Sequence, residues 1–469
     1  MKKKQIAGKR TPFPIVRTML ALAGLIGAIA LVGISQGLYT KAAYQPATLQ
    51  VDVSKVLGPL PRPWANLAQG GEDHNWRLKS LIPQLKPLRP EYIRLDHVFD
   101  FYDIVSGTSG NLQFDFSKFD LLLDDIDEVG AKPYIALSYM PAYLTKDNET
   151  VGEPLSYGDW QEMVRQMVQH VSGTRAINNV YYEVWNEPDL FGKWHYGGKK
   201  NYLDLYAAAA RGAAAANVNT NYKLGGPATT ALYKNWIQSL ATFTQSNNIR
   251  LDFISWHRYT TDLNQFRQDA TDVRLWLVNT PNVQQNAEFH ITEWGHDSDL
   301  NDGYDTSYGA AHTAAAAIDM IGVIERAFVF EIQDGNSPEG KAYWGRWGLF
   351  THESVGGKPK PRFRALQLLN QLGPQRVELL GSGTYVKAVA TTNDAETVQI
   401  ALANFDPKGQ NVENVPVTLL GLEPGTYSVK MNFLNRAPSV STLTVAEIPA
   451  VFSVSMGTQE VAIVTITRQ

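Results

Sequence analysis

The sequence predicts a (β/α)8 TIM barrel followed by a C-terminal β-sandwich, behind an N-terminal hydrophobic segment. Three observations carry this. Eight short, mostly apolar runs alternate with helical patterns; the texture becomes β-rich after Gly373; and an uncharged apolar stretch follows a basic N-terminus. At 469 residues the chain is too long for one ordinary domain and suits a barrel plus an accessory module. It is 44% hydrophobic and 19% charged, a globular composition, and its net charge of −4 gives no reason to expect nucleic acid as a partner. With no cysteine, disulfides, thiolate metal sites and a cysteine nucleophile are excluded.

Residues 1–43 open with Lys2, Lys3, Lys4, Lys9, Arg10 and Arg17, then run apolar from Met19 to Ile34 and weakly on to Tyr39. This reads as a cleaved signal peptide or an uncleaved membrane anchor. Ser35 and Gly37 suit cleavage, whereas Lys41 suits it poorly, which tilts the reading toward an anchor over residues 18–39. Positive charge on the short N-terminal side places the rest of the chain outside the cytoplasm, secreted or membrane-anchored.

After a linker at 40–48, Leu49, Val51 and Val53 alternate with polar residues as in a half-buried strand, which is expected to join the sandwich. The barrel spans 48–373. Its strands are expected at Trp64–Ala68, Tyr92–Asp96, Pro133–Tyr139, Val180–Asn186, Lys223–Pro227, Asp252–His257, Glu288–Glu293 and Ala327–Gln333. Trp160, Met163, Val164, Met167, Val168 and Val171 follow helical spacing. So do Phe119, Leu122, Ile126 and Val129, ahead of a stop at Gly130. Apolar strands each followed by a helix imply a parallel sheet covered on its outside, and no glycine-rich phosphate loop follows the first strand. The alanine tracts 207–210 and 213–216 read as tightly packed outer helices. Within 374–469, β-rich runs lie at 377–380, 385–390, 397–404, 415–419, 426–432 and 462–467, divided by turns such as Asp406–Gly409.

In a barrel of this kind the chemistry sits at the C-terminal strand ends. Strand four ends in Asn186-Glu187-Pro188 and strand seven in Thr292-Glu293-Trp294, placing two glutamates on opposite sides of the mouth. Two opposed carboxylates are what glycoside hydrolysis needs, one protonated beside the leaving oxygen and one ionised across the ring. A separation of roughly 5–5.5 Å gives retention and roughly 6.5–9.5 Å inversion. The abundant aromatics, with 11 Trp and 21 Tyr, suit a carbohydrate site. The alternatives are a non-catalytic carbohydrate-binding protein on a hydrolase scaffold, which has no need of two opposed carboxylates, or a glucosidase, arabinofuranosidase or endo-glycanase.

Glu183-Val184-Trp185-Asn186-Glu187-Pro188-Asp189-Leu190 followed by Trp194 resembles glycoside hydrolase family 39, the β-xylosidase and α-L-iduronidase family of clan A. Ile93-Arg94 with His97 beyond, Leu137-Ser138-Tyr139-Met140-Pro141, Ser255-Trp256-His257-Arg258-Tyr259 and the Gly348-Leu349 segment agree with it. The resemblance implies a retaining glycosidase without cofactor, with Glu187 as acid/base and Glu293 as nucleophile. It implies that Asn186 binds the substrate 2-OH, that Arg94 holds Glu293 ionised, and that His257 and Tyr259 sit near both glutamates. Trp294, Trp344 and Trp347 are candidate stacking platforms. Strand eight departs from the family's aromatic-rich pattern; Glu331 and Asp334 there line a subsite, or Glu331 is a buried partner for an arginine. The acidic loop Asp297–Gly303 resembles a calcium loop, but its glycine is one position late and Tyr308 stands where the closing glutamate belongs, so no metal is expected.

Overall fold

The computed structural model describes residues 44–71, 73–394, 397–446 and 449–469. The basic and apolar N-terminal stretch lies outside the described residues. Among those described, no helix is long and apolar enough to cross a membrane.

Eight parallel strands close into a barrel: β1 (Asn66–Gln69), β2 (Tyr92–Leu95), β3 (Lys132–Leu137), β4 (Val180–Val184), β5 (Tyr222–Thr229), β6 (Phe253–Tyr259), β7 (Glu288–Gly295) and β8 (Arg326–Phe330). They pair in sequence order, and β8 returns to β1 through Phe328–Asn66, Val329–Leu67 and Phe330–Ala68. The strands bury both faces. Ile93, Tyr182, Val184, Ile254, Trp256 and Ile291 join the apolar core under the helices. Tyr92, Tyr134, Tyr181, Phe253 and Phe328 form a separate cluster. Tyr134 on β3 and Phe328 on β8 are not strand neighbours, yet their rings lie 4.6 Å apart, so this second cluster fills the lumen. The barrel floor is thus packed solid and leaves only its upper end for a site.

Two irregularities set the site. Along β7, Ile291 pairs with Trp256 and the next pair is Glu293 with His257, so Thr292 is an extra residue in the ladder. A bulge of this kind reverses the inward and outward alternation beyond it. From His290, which faces the lumen, plain alternation would bring Thr292 and Trp294 inward; the bulge instead brings Glu293 inward and sends Trp294 out. At the end of β4, Trp185 (φ 74°) and Glu187 (φ 45°) take the left-handed conformation that non-glycine residues rarely adopt. Trp185 turns away against Trp160, Trp194 and Tyr139, while Asn186 and Glu187 reach the lumen side.

The C-terminal module differs from the expected two-sheet sandwich. It is one continuously hydrogen-bonded, nine-stranded sheet that has Ser439–Val445 and Ala450–Met456 as its edges. The strand Leu49–Pro59 lies inside it, antiparallel to Gln375–Leu380 and parallel to Glu413–Leu420. Register shifts at Asp52–Val56 and Val56–Gly58 bend this strand, and the sheet curls round its own core of Leu49, Val377, Ile400, Val417 and Val464. Its other face, with Val389, Ala401, Ala403 and Ile463, belongs to the barrel's core. The two layers meet across the helix Ser307–Asp319, where His312 and Tyr308 pack edge-on against Phe405 of the sheet at 5.0 and 5.1 Å. Its alanines 314–317 are fully buried, so small side chains let a helix pass between two packed layers. The edge strand Ser439–Val445 and the hairpin Val105–Thr108/Asn111–Phe114 gave no sequence expectation, because their sequences are largely exposed and contain Ser, Thr or Gly in place of a regular apolar face.

The alanine-rich helix Tyr202–Ala215 packs closely on Tyr157–Val168. A Cβ on Gly212 would stand 2.2 Å from the Gln161 carbonyl oxygen, a backbone atom that cannot turn aside. Gly212→Ala gains up to about 1 kcal/mol of helix propensity and costs about 1–3 kcal/mol in forced separation. The expected net effect is a Tm lowered by a few degrees, read by thermal denaturation; an unchanged or raised Tm would show the crossing to be looser than it looks.

Candidate active site

The barrel mouth opens into a cleft of about 790 Å³, and Asp96, His97, Asn186, Glu187, Tyr259 and Glu293 line it. One oxygen of Glu187 and one of Glu293 lie within 4.8 Å of each other, with His257 Nδ1 beside both. Nδ1 stands 2.7 Å from Glu187 Oε1 and 3.3 Å from Glu293 Oε2. This is the short spacing at which the second carboxylate attacks carbon directly.

Beneath the pair lies Arg94, fully buried on β2. Its Nε donates to Glu183 Oε2, Nη1 to Glu293 Oε1 and Nη2 to Asn186 Oδ1, each at 2.8 Å. Asp96 is not among these hydrogen-bond partners. Burial opposes the Arg94 charge, but Glu183 and Glu293 outweigh it and hold the guanidinium protonated. Arg94 therefore acts on substrate only through its neighbours, as a positioning residue. Glu183 is its buried counter-charge, reached by the two-residue periodicity of β4 from Tyr181.

The same geometry settles proton positions. His257 Nε2 lies 3.5 Å from Arg94 Nη2, which can only donate, so Nε2 bears the lone pair and Nδ1 the proton. Burial keeps this imidazole neutral by lowering its pKa. Nδ1–H then donates to Glu187 Oε1, which leaves Oε2 of Glu187 as the oxygen that carries a proton toward the cleft. Burial, then the charge of Asp189, pushes the Glu187 carboxyl up to about 8, against Arg94. Glu293 is pushed up to about 7 by burial, opposed by His257 and Arg94 and raised further by Glu187. Tyr259 also donates to its Oε2 at 2.9 Å. Of the coupled pair, Glu293 gives up its proton first and Glu187 keeps one near neutrality.

Asn186 Nδ2 donates to the Tyr139 hydroxyl at 3.0 Å, and that hydroxyl donates to the Asn186 carbonyl at 3.1 Å. An amide nitrogen has two hydrogens, so the second remains for a substrate hydroxyl. Tyr139 and Glu183 are residues that motif reading passed over; both lay in segments singled out there, but nothing local marks a carboxylate or phenol as a partner across the barrel. His97 lines the cleft with Nδ1 2.8 Å from Asp100 Oδ2, its ring against Tyr139. A Cβ on Gly71 would stand 2.1 Å from that ring, so only glycine allows the approach.

Three expected contacts fall elsewhere. Trp294 is fully buried against Phe266 and His312, on the side to which the β7 bulge turns it. Trp344 is half-buried outside the cleft with the Arg346 guanidinium 5.3 Å from its ring, whereas Trp347 does line the cleft. Glu331 is fully buried and accepts from Gln69 Nε2 at 3.3 Å; it lines no subsite. Asp334 pairs with Lys360 Nζ at 2.8 Å. In the acidic loop, Asp297 accepts from Asp299 N at 3.0 Å and Asn301 Nδ2 at 2.8 Å, and Asn301 Oδ1 caps Gly303 N at 2.9 Å, so these groups brace the loop itself.

The charge of Asp189 gives a pH test. Replacing it by asparagine makes ionised Glu187 less unfavourable, so the Glu187 pKa falls. In Asp189→Asn the basic limb of kcat/KM, governed by loss of the acid's proton above about pH 8 in the wild type, is expected at lower pH with the acidic limb in place. A stationary basic limb would remove Asp189 from the tuning of Glu187.

Comparison with known proteins identifies the family of the chain. The model of glycosyl hydrolases family 39 matches residues 49–435. A β-xylosidase of Caldicellulosiruptor saccharolyticus is 27% identical over 412 residues, covering 80% of this chain and 82% of the relative. Among solved structures, a family 39 enzyme from Xanthomonas axonopodis pv. citri superposes with a TM-score of 0.74 at 20% identity, covering 92% of this chain and all of the other. A monomeric β-xylosidase from Caulobacter crescentus CB15 does so with a TM-score of 0.72 at 19% identity, over 90% of this chain and 99% of that one. The chain belongs to glycosyl hydrolases family 39, a family of retaining glycosidases.

Proposed function

We propose that this glycosidase hydrolyses β-linked glycosides through a covalent intermediate on Glu293, with Glu187 as acid and then base and a xylose-type sugar as its first candidate substrate. The observation that carries the assignment is the close approach of the two carboxyl groups, with His257 donating to one and Arg94 and Tyr259 to the other. In the first step a Glu293 oxygen bonds to the anomeric carbon while Glu187 Oε2 gives its proton to the departing glycosidic oxygen. In the second, Glu187 takes a proton from water, the water oxygen bonds to the same carbon, and the bond to Glu293 breaks. Asn186 Nδ2 would bind the 2-OH, a contact that strengthens as charge develops at the anomeric centre. The similarity to β-xylosidases supports the sugar class.

The basic residues ahead of the apolar N-terminal stretch support placement outside the cytoplasm, anchored or released. Protease accessibility on intact spheroplasts checks this: digestion of the barrel is expected, and full protection would refute it.

Azide separates the two glutamates. With an aryl β-glycoside, Glu293→Ala is expected to lose at least about 10²–10⁴-fold in kcat, with azide giving the inverted α-glycosyl azide. Glu187→Ala with azide is expected to give the β-azide, since azide then attacks an intact glycosyl-enzyme. The reverse pattern of products would exchange the roles.

A further inference from the structure

Beyond the catalytic cleft, on the side of Glu187, a shallower groove of about 620 Å³ runs outward past Asp189, Tyr196, Tyr233, Lys234, Trp236 and Trp276. It is continuous with the cleft, because Asp189 and Tyr233 line both. Three of its aromatic rings reach solvent: Tyr196 is 40% and Tyr233 43% exposed, and Trp276 is half-buried at the end of its helix. Tyr196 is braced edge-on by the buried Trp236 at 5.6 Å. The Tyr233 hydroxyl meets Thr230 Oγ1 at 3.1 Å, and Thr230 is itself held by Asp189. These rings are held in orientation by their neighbours, Tyr196 by Trp236 and Trp276 by the apolar core on which it packs, with Lys234 Nζ 5.9 Å above Trp276 and Asn235 beside Tyr196.

We propose that this groove binds sugar units on the leaving-group side of the scissile bond, so that the enzyme prefers an oligosaccharide or polymer to a small aglycone. The inference rests on the glycosidase reading above and extends it. The acid of a retaining enzyme stands beside the leaving-group oxygen, so whatever continues from that oxygen passes Glu187. Asp189 and Tyr233 follow directly in that direction. Flat ring faces separated by polar groups match a pyranose chain, which alternates C–H faces with hydroxyls. A small aryl aglycone would leave Tyr196 and Trp276 with nothing to contact.

The test uses the purified full-length chain and the double variant Tyr196→Ala/Trp276→Ala, neither residue being part of the catalytic machinery. Two probes carry one sugar: a 4-nitrophenyl β-xyloside and β-linked xylo-oligosaccharides of two to six units. The wild-type kcat/KM is expected to rise at least tenfold from two units to four. The variant is expected to lose that rise and keep its rate on the aryl probe within twofold. A wild-type rate independent of length, or a variant that keeps the rise, would overturn the groove. Absence of turnover on both probes would tell against the substrate reading, and the groove is then read by electrophoresis in gels containing xylan, mixed-linkage β-glucan or glucomannan. Retardation of the wild type and not of the variant supports it; equal mobility in every gel overturns it. So does a sedimentation result in which the substitutions convert a dimer to a monomer, since the rings would then cover a second copy of the chain.

Discussion

One buried cation, Arg94, organises the carboxylate pair above the barrel floor. Its fork spends three nitrogens on Glu183, Glu293 and Asn186, and a fourth contact orients His257. Taking a guanidinium out of water costs several kcal/mol, which its partners must offset together. Removing Glu183 would leave Glu293 to balance the guanidinium alone, whereas removing Arg94 would leave two carboxylates without their shared counter-ion at the centre of the barrel. The fork also matches carboxylate geometry in a way that an ammonium does not, so lysine is no substitute there. The position of Glu293, the orientation of the Asn186 amide and the His257 tautomer thus share one origin.

Two backbone irregularities deliver side chains to that cation. The extra residue at Thr292 turns Glu293 inward, and the left-handed Trp185 and Glu187 bring the Asn186 and Glu187 side chains over the lumen. Left-handed non-glycine residues cost of order 1–3 kcal/mol each. The packing of Trp185 among Trp160, Trp194 and Tyr139 and the hydrogen bond from Glu187 N to the Ala228 carbonyl hold that conformation in place. Regular strands would present every second residue and could not place both glutamates correctly over a solid aromatic floor.

Much of this was legible in the sequence. Apolar strands with helical spacers declared the barrel, and Asn186-Glu187-Pro188 with Glu293 declared the carboxylate pair, because those residues stand at strand ends where local pattern and chemistry coincide. Trp294 was misplaced for a physical reason: a bulge leaves no signature in composition, and it reverses the facing of the residue after Glu293. The partnership of Arg94 with Glu183 and of Asn186 with Tyr139 spans different strands, which a linear reading does not measure. The accessory module read as two sheets because its turns were visible, while the bends in Leu49–Pro59 that keep it one sheet depend on register alone.

The covalent role of Glu293 is the claim on which the rest turns. A 2-deoxy-2-fluoro-β-glycosyl fluoride of the sugar the enzyme turns over would slow hydrolysis of the intermediate, and peptide mass spectrometry of the trapped protein would locate the sugar. One glycosyl unit per chain, on the peptide carrying Glu293, is the expected result. A label on Glu187, or inactivation-free turnover with inversion at the anomeric carbon, would contradict the assignment.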